Sequence, residues 1–77
     1  MADFTLFGRS GCHLCEEAGE LLRLAGLWSR CQERDIDSAV ELHDRYGLRI
    51  PVLRRECDGA ELDWPFGPAD AITFMAD

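Results

Sequence analysis

The hydrophobic pattern changes period within a few residues of the first cysteine. Residues 3–8 (DFTLFG) are rich in aromatic and β-branched side chains and end on glycine, which predicts a short strand. After the turn Arg9-Ser10-Gly11, Leu14, Ala18, Leu21, Leu22, Ala25 and Trp28 recur at helical spacing. They predict one apolar stripe on a helix that starts near Cys12. Glu16, Glu17 and Glu20 fall in its early turns, where carboxylates suit the positive end of the helix dipole. A strand handing over to a helix within three residues opens a β-α-β unit, and the next strand should return parallel by a right-handed crossover.

The rest of the chain extends that unit. Residues 30–36 (RCQERDI) predict a second strand, although alternation there is poor and charge is high. Asp37 and Ser38 open a second helix, with Ser38-x-x-Glu41 as a capping box and Gly47 as its left-handed end. Ile50-Pro51-Val52-Leu53 begins a third strand, and Asp58-Gly59 predicts a two-residue hairpin loop. That loop would set Arg54 opposite Asp63, Leu53 opposite Trp64 and Glu56 opposite Glu61. Trp64 and Phe66 then alternate inward, and Gly67-Pro68 starts a last helix with Ile72 and Met75 on one face. The order is β-α-β-α-β-β-α, and 77 residues without linker or repeat make residues 1–77 a single α/β domain.

Charge and targeting narrow the function classes. A net charge of −7 argues against nucleic acid or an anionic membrane as partner. The opening MADFTLFGRSG has no basic region followed by a long apolar one, and no run reaches the roughly 18 apolar residues of a membrane span. A cytoplasmic monomer is the expectation. All eight cations are arginine, read here as a coding bias without functional meaning.

Cys12 and Cys15 form a C-x-x-C that admits three readings: a zinc clamp, a structural staple, or a thiol pair that is oxidised and reduced. Zinc sites need a second ligand pair, and Cys31, Cys57, His13 and His43 are scattered one at a time. A permanent staple needs an oxidising compartment. Redox exchange needs a thiolate, and Cys12 falls at a helix N-terminus, where free N–H groups and the dipole stabilise one. Arg9 and protonated His13 would add positive charge and tune its pKa. Cys15 follows one turn later on the same face, within disulfide range. The exposed first sulfur would attack a disulfide and the more buried second one would resolve the mixed disulfide. Pro51, at the start of an internal strand, invites a cis peptide that would leave the backbone of Ile50 open to an extended substrate.

The stretch TLFGRSGCHLC closely resembles the first strand and active-site turn of glutaredoxins. Arg34-Asp35-Ile36-Asp37 resembles the end of their second strand, and Ile50-Pro51-Val52 their cis-proline segment. The elements DID, RYGLRIPVL and ELDWPF look more specifically like short bacterial glutaredoxin-like proteins. The resemblance implies a thioredoxin fold, with a mixed four-stranded sheet flanked by helices on both faces. It also implies Cys12 as nucleophile, Cys15 as resolving cysteine and Pro51 as the cis-proline beside them. Two departures stand out. His13-Leu14 replaces the usual Pro-Tyr, whose ring helps form the glutathione groove, and residues 66–70 (FGPAD) replace a Gly-Gly-x-Asp segment. The second keeps Gly67 and Asp70 as candidate binding residues, and Arg9 and Arg49 are cations that would attract a carboxylate.

The expected function is thiol–disulfide exchange on a disulfide-containing protein or a glutathione mixed disulfide. No bound cofactor or metal is expected, and glutathione is the candidate co-substrate. The rival reading is a binding module that holds a peptide along Ile50-Pro51, or a metal on its cysteines, without turnover. Cys31 and Cys57 are read as partly buried strand residues, and His43 as part of a solvated helix face.

Overall fold

A computed structural model describes residues 3–76. Its elements run β1 (Phe4–Gly8), α1 (His13–Leu24), β2 (Cys31–Asp35), α2 (Val40–Tyr46), β3 (Val52–Arg55), β4 (Glu61–Asp63) and α3 (Pro68–Met75). Short 3-10 turns occupy Trp28–Arg30 and Ile36–Ser38. The strands form one mixed sheet in the order β2-β1-β3-β4. β1 pairs parallel with β2 and antiparallel with β3, and β3 pairs antiparallel with β4. This is the thioredoxin-like arrangement that the resemblance implies.

Both faces of β1 are covered, because its side chains alternate between two cores. Phe4 and Leu6 pack with Ala18 and Leu22 of α1, Leu53, Phe66, and Ala71 and Met75 of α3. Phe7 points the other way and packs with Ile36, Tyr46 and Val52. The Phe7 and Tyr46 rings stack with centroids 4.3 Å apart, worth roughly 0.5–1.5 kcal/mol beyond area burial. Arginines cover the outer rings: Arg23 lies 4.4 Å over Trp28, Arg30 5.1 Å over Phe4, Arg54 4.7 Å over Phe7 and Arg55 5.0 Å over Phe74.

Several local expectations are corrected. The hairpin loop has four residues, not two: Arg55 N–H donates to Ala60 O, and Leu53 pairs with Leu62 and Arg54 with Glu61. Asp58 causes the longer loop, accepting from the Ala60 N–H at 3.0 Å and from Arg55 at 2.9 and 3.0 Å. Glu56 therefore never faces Glu61. It bonds Thr5 and Arg54 instead. Ser38 does not cap α2, since its hydroxyl donates to Asp35 O at 2.6 Å and the N-cap is Ala39. Gly47 is right-handed (φ −54°). Its missing Cβ is explained by the His43 carbonyl oxygen, which a Cβ would meet at 2.6 Å. Leu14 and Ile72, expected on buried stripes, are 45% and 52% exposed. Ala18, Gly19 and Leu22 carry the buried face of α1, and Ala71 and Met75 that of α3. Among the described residues, no helix is long and apolar enough to cross a membrane.

Candidate active site

β1 ends at Gly8, and Gly11 turns the chain with φ +77°, a conformation that side-chain-bearing residues rarely adopt. Cys12 is the N-cap of α1, in extended backbone conformation. In place of the usual hydroxyl or carboxylate cap, its sulfur accepts the Cys15 N–H at 3.1 Å. One of the free N–H donors of the first turn thus points at a cysteine sulfur, and it belongs to the partner cysteine one turn later. Cys12 and Cys15 are joined by a disulfide, with Cα atoms 5.2 Å apart.

The expected split between an exposed and a buried cysteine is absent: both residues are half-buried. What differs is the surface each one meets. Cys15, and not Cys12, lines a cleft of about 680 Å³ between α1 and the edge strand β2. Gly8 lies beneath it, where a Cβ would come within 3.1 Å of both the Cβ and the Sγ of Cys15.

The two cations expected to tune the pair are each turned toward a carboxylate. Arg9 Nη2 meets Asp37 at 3.1 Å, with both side chains exposed. His13 is 85% exposed, and its Nε2 stands 3.8 Å from Glu17 one turn along the helix. Solvent screens both pairs, whereas the Cys15 N–H is held against the Cys12 sulfur by the helix itself.

Ile50–Pro51 is a cis peptide, and Pro51 is buried. Ile50 is not open on both backbone groups, because its N–H donates to Tyr46 O at 3.1 Å and leaves the carbonyl for any pairing. Arg49 is equally committed. It donates to Glu61 at 2.8 Å and Asp63 at 2.7 Å, and these bonds raise its pKa. Glu61 also accepts the Tyr46 hydroxyl at 2.6 Å. Burial alone would raise the Glu61 pKa, but the bonds from Tyr46 and Arg49 outweigh it and hold the carboxyl below its usual value. The Tyr46 hydroxyl is pushed up, by burial first and then by Glu61. Gly67 caps α3, and its N–H donates to Asp70 Oδ2 at 2.9 Å, with Pro68 in the first turn where no N–H is needed.

Cys31 is half-buried on β2, and burial pushes its thiol up to about 11, against the pull of the Arg30 charge. Cys57 is exposed in the hairpin loop rather than partly buried in a strand. Among the described residues, no group of three or more His, Cys, Asp or Glu side chains is placed to hold a metal ion. The cleft residues Gly8, Gly19, Arg23 and Trp28 carry no motif. Gly8, at the end of β1, is the one signal, since it marks the close approach of Cys15.

A family model described as glutaredoxin-like domain (DUF836) matches residues 3–72. The crystal structure of protein XcR50 from X. campestris is similar at 40% identity and a TM-score of 0.84, covering 94% of this chain and 93% of that one. The solution structure of XcR50 agrees, at 41% identity and a TM-score of 0.83, covering 97% and 92%. Protein Ne2328 from Nitrosomonas europaea is 28% identical with a TM-score of 0.78, covering 96% of this chain and 91% of that one. Among curated proteins, none matches the chain.

Proposed function

This chain belongs to the glutaredoxin-like domain family, and from that premise we propose that it is a thiol–disulfide oxidoreductase working through Cys12 and Cys15. The observation that carries the proposal is the Cys15 N–H directed at the Cys12 sulfur at the start of α1. In the reduced protein that donor favours thiolate over thiol at Cys12, and thiolate is the attacking species. Cys12 attacks a substrate disulfide and releases one substrate thiolate. Cys15 then attacks the Cys12 sulfur of the mixed disulfide, releasing the second thiolate and closing the internal disulfide. The substrate is reduced by two electrons and the pair is oxidised by two.

The substrates in this reading are disulfide-containing proteins or glutathione mixed disulfides, with glutathione as co-substrate, no bound cofactor, and a monomer as the working unit. The Ile50 carbonyl beside Pro51 is the backbone acceptor for an extended substrate. Arg9 and Arg49 bind a glutathione carboxylate only by exchanging Asp37, Glu61 or Asp63, and the Gly67 N–H reaches glutathione only by exchanging Asp70.

The test is equilibration against a series of reduced-to-oxidised glutathione ratios, read by intact mass, with Cys12→Ser in parallel. The reading expects an internal disulfide at a defined potential that the variant cannot form. If both thiols stay reduced at every ratio, or oxidation is indifferent to Cys12, the enzyme reading fails.

A further inference from the structure

Residues 47–50 carry the Ile50 carbonyl from the end of α2 toward β3, and they belong to neither element. Leu48, at the tip of this segment, is fully exposed. Leu48 and Arg49 line a cleft together with Arg9, which places the segment beside the turn that leads to Cys12. The bonds that hold it run through two residues. The Arg49 and Ile50 N–H groups both donate to Tyr46 O, at 2.8 and 3.1 Å. Tyr46 is fixed in turn by its stack on Phe7 and by its hydroxyl, which donates to Glu61 Oε2 at 2.6 Å. Arg49 donates to Glu61 Oε1 at 2.8 Å. The two oxygens of one carboxylate thus hold the residue before the segment and the residue before Ile50.

Glu61 is suited to that role by where it stands. It lies on β4, in register with Arg54 of β3, and its side chain is only 16% exposed. Charge-assisted bonds to so sheltered a carboxylate are firmer than the surface pairs of Arg9 and His13. Asp63 gives Arg49 a second acceptor at 2.7 Å, but from a side chain that is 62% exposed. Arg45, at 3.5 Å from Glu61 and largely in solvent, adds little.

We infer that Glu61 is a positioning residue for extended substrates: through Tyr46 and Arg49 it sets the Ile50 carbonyl, and it touches neither the sulfurs nor the substrate. The inference rests on the redox reading above. It also assigns Arg49 to the frame of the site and not to the binding of substrate charge. An amide at position 61 offers one acceptor where the carboxylate offers two. Arg49 is then left to Asp63, and the segment keeps little besides its two backbone bonds to Tyr46. An extended substrate must order the segment as it binds, which lowers its affinity. The sulfur chemistry is spared, because the start of α1 and the end of β1 hold the cysteine pair.

The experiment oxidises the full reduced chain with two probes that carry the same leaving thiol. One is bis(2-hydroxyethyl) disulfide. The other is a short uncharged peptide, blocked at both ends, whose central cysteine holds 2-mercaptoethanol as a mixed disulfide. Single-turnover rates are read by acid quench and intact mass over a range of probe concentrations. Glu61→Gln should raise the half-saturating concentration of the peptide on the order of ten-fold, with the maximal rate kept and the small disulfide unaffected. Arg49→Lys, which keeps the charge and loses the fork, should do the same, although this peptide has no carboxylate to bind. Tyr46→Phe, which keeps the ring stack and removes one of the two contacts, should give a smaller rise and serves if Glu61→Gln does not fold. Equal weakening of both probes, or an unchanged peptide in these variants, overturns the inference and leaves the redox reading in place. If the wild-type chain reduces neither probe, the redox reading falls and takes the inference with it.

Discussion

The Cys15 N–H points at the Cys12 sulfur at 3.1 Å, so the backbone of one cysteine supports the charge of the other. In Cys15→Ser, which keeps that N–H, the Cys12 thiol should titrate below the free value of about 8.5. Thiolate absorbance against pH measures it directly, with Cys31→Ser and Cys57→Ser added so that one thiol remains. A midpoint at or above the free value would remove the physical basis for Cys12 as the attacking group.

The same variant separates attack from resolution. Cys15→Ser should still form a mixed disulfide with a substrate but accumulate it, while Cys12→Ser should show no fast phase. Intact-mass kinetics distinguish the two. Equal adduct formation by both variants would contradict the assigned order.

Glu61 ties Tyr46, Arg45 and Arg49 together across the sheet edge. Its folded pKa lies below the usual 4.5, so its stabilising effect is full above about that pH and fades as pH falls through the folded value. Glu61→Gln should lower stability at pH 7 by about 1–3 kcal/mol, with the gap from wild type closing on acidification. Urea unfolding at pH 7 and pH 3 tests this, and a constant gap would refute it.

Gly8→Ala would drive a Cβ to within 3.1 Å of the Cys15 Cβ and Sγ. Overpacking of that kind costs about 1–3 kcal/mol, and here it falls on Cys15. The urea midpoint should drop, and the disulfide equilibrium with glutathione should shift with it. Unchanged values for both would mean that Cys15 does not rest on Gly8.

Much of the fold was readable because the periodic signals were strong where the core is. The Phe4–Gly8 strand, the helix opening at the cysteines and the parallel return of β2 follow from alternation and spacing. Side-chain competition explains the misses. Asp58 can end a two-residue turn or cap the Ala60 N–H, and the second choice also gives Arg55 a bidentate partner. Ser38 can cap a helix or bond Asp35 O, and the 3-10 turn at Ile36–Ser38 puts the carbonyl nearer. The cysteine pair stood out by spacing alone. The commitment of Arg49 to Glu61 and Asp63 did not, because it spans 12 and 14 positions and depends on the hairpin register. The cleft was equally invisible, since no spacing in the sequence announces that Cys15 rests on Gly8 or that Trp28 comes beside Gly19.

All eight cationic side chains are arginine, and among the described residues six of them stand over aromatic rings, Arg45 and Arg49 both over Tyr46. A guanidinium keeps its proton well past the range where a lysine begins to release one. The arginine side chains therefore keep their charge between about pH 8 and 10. Tyr46 is pushed upward and Cys31 to about 11, so neither contributes much in that interval. The mildly alkaline range is thus one in which neither the arginines nor Tyr46 and Cys31 obscure a measurement on the reduced cysteine pair.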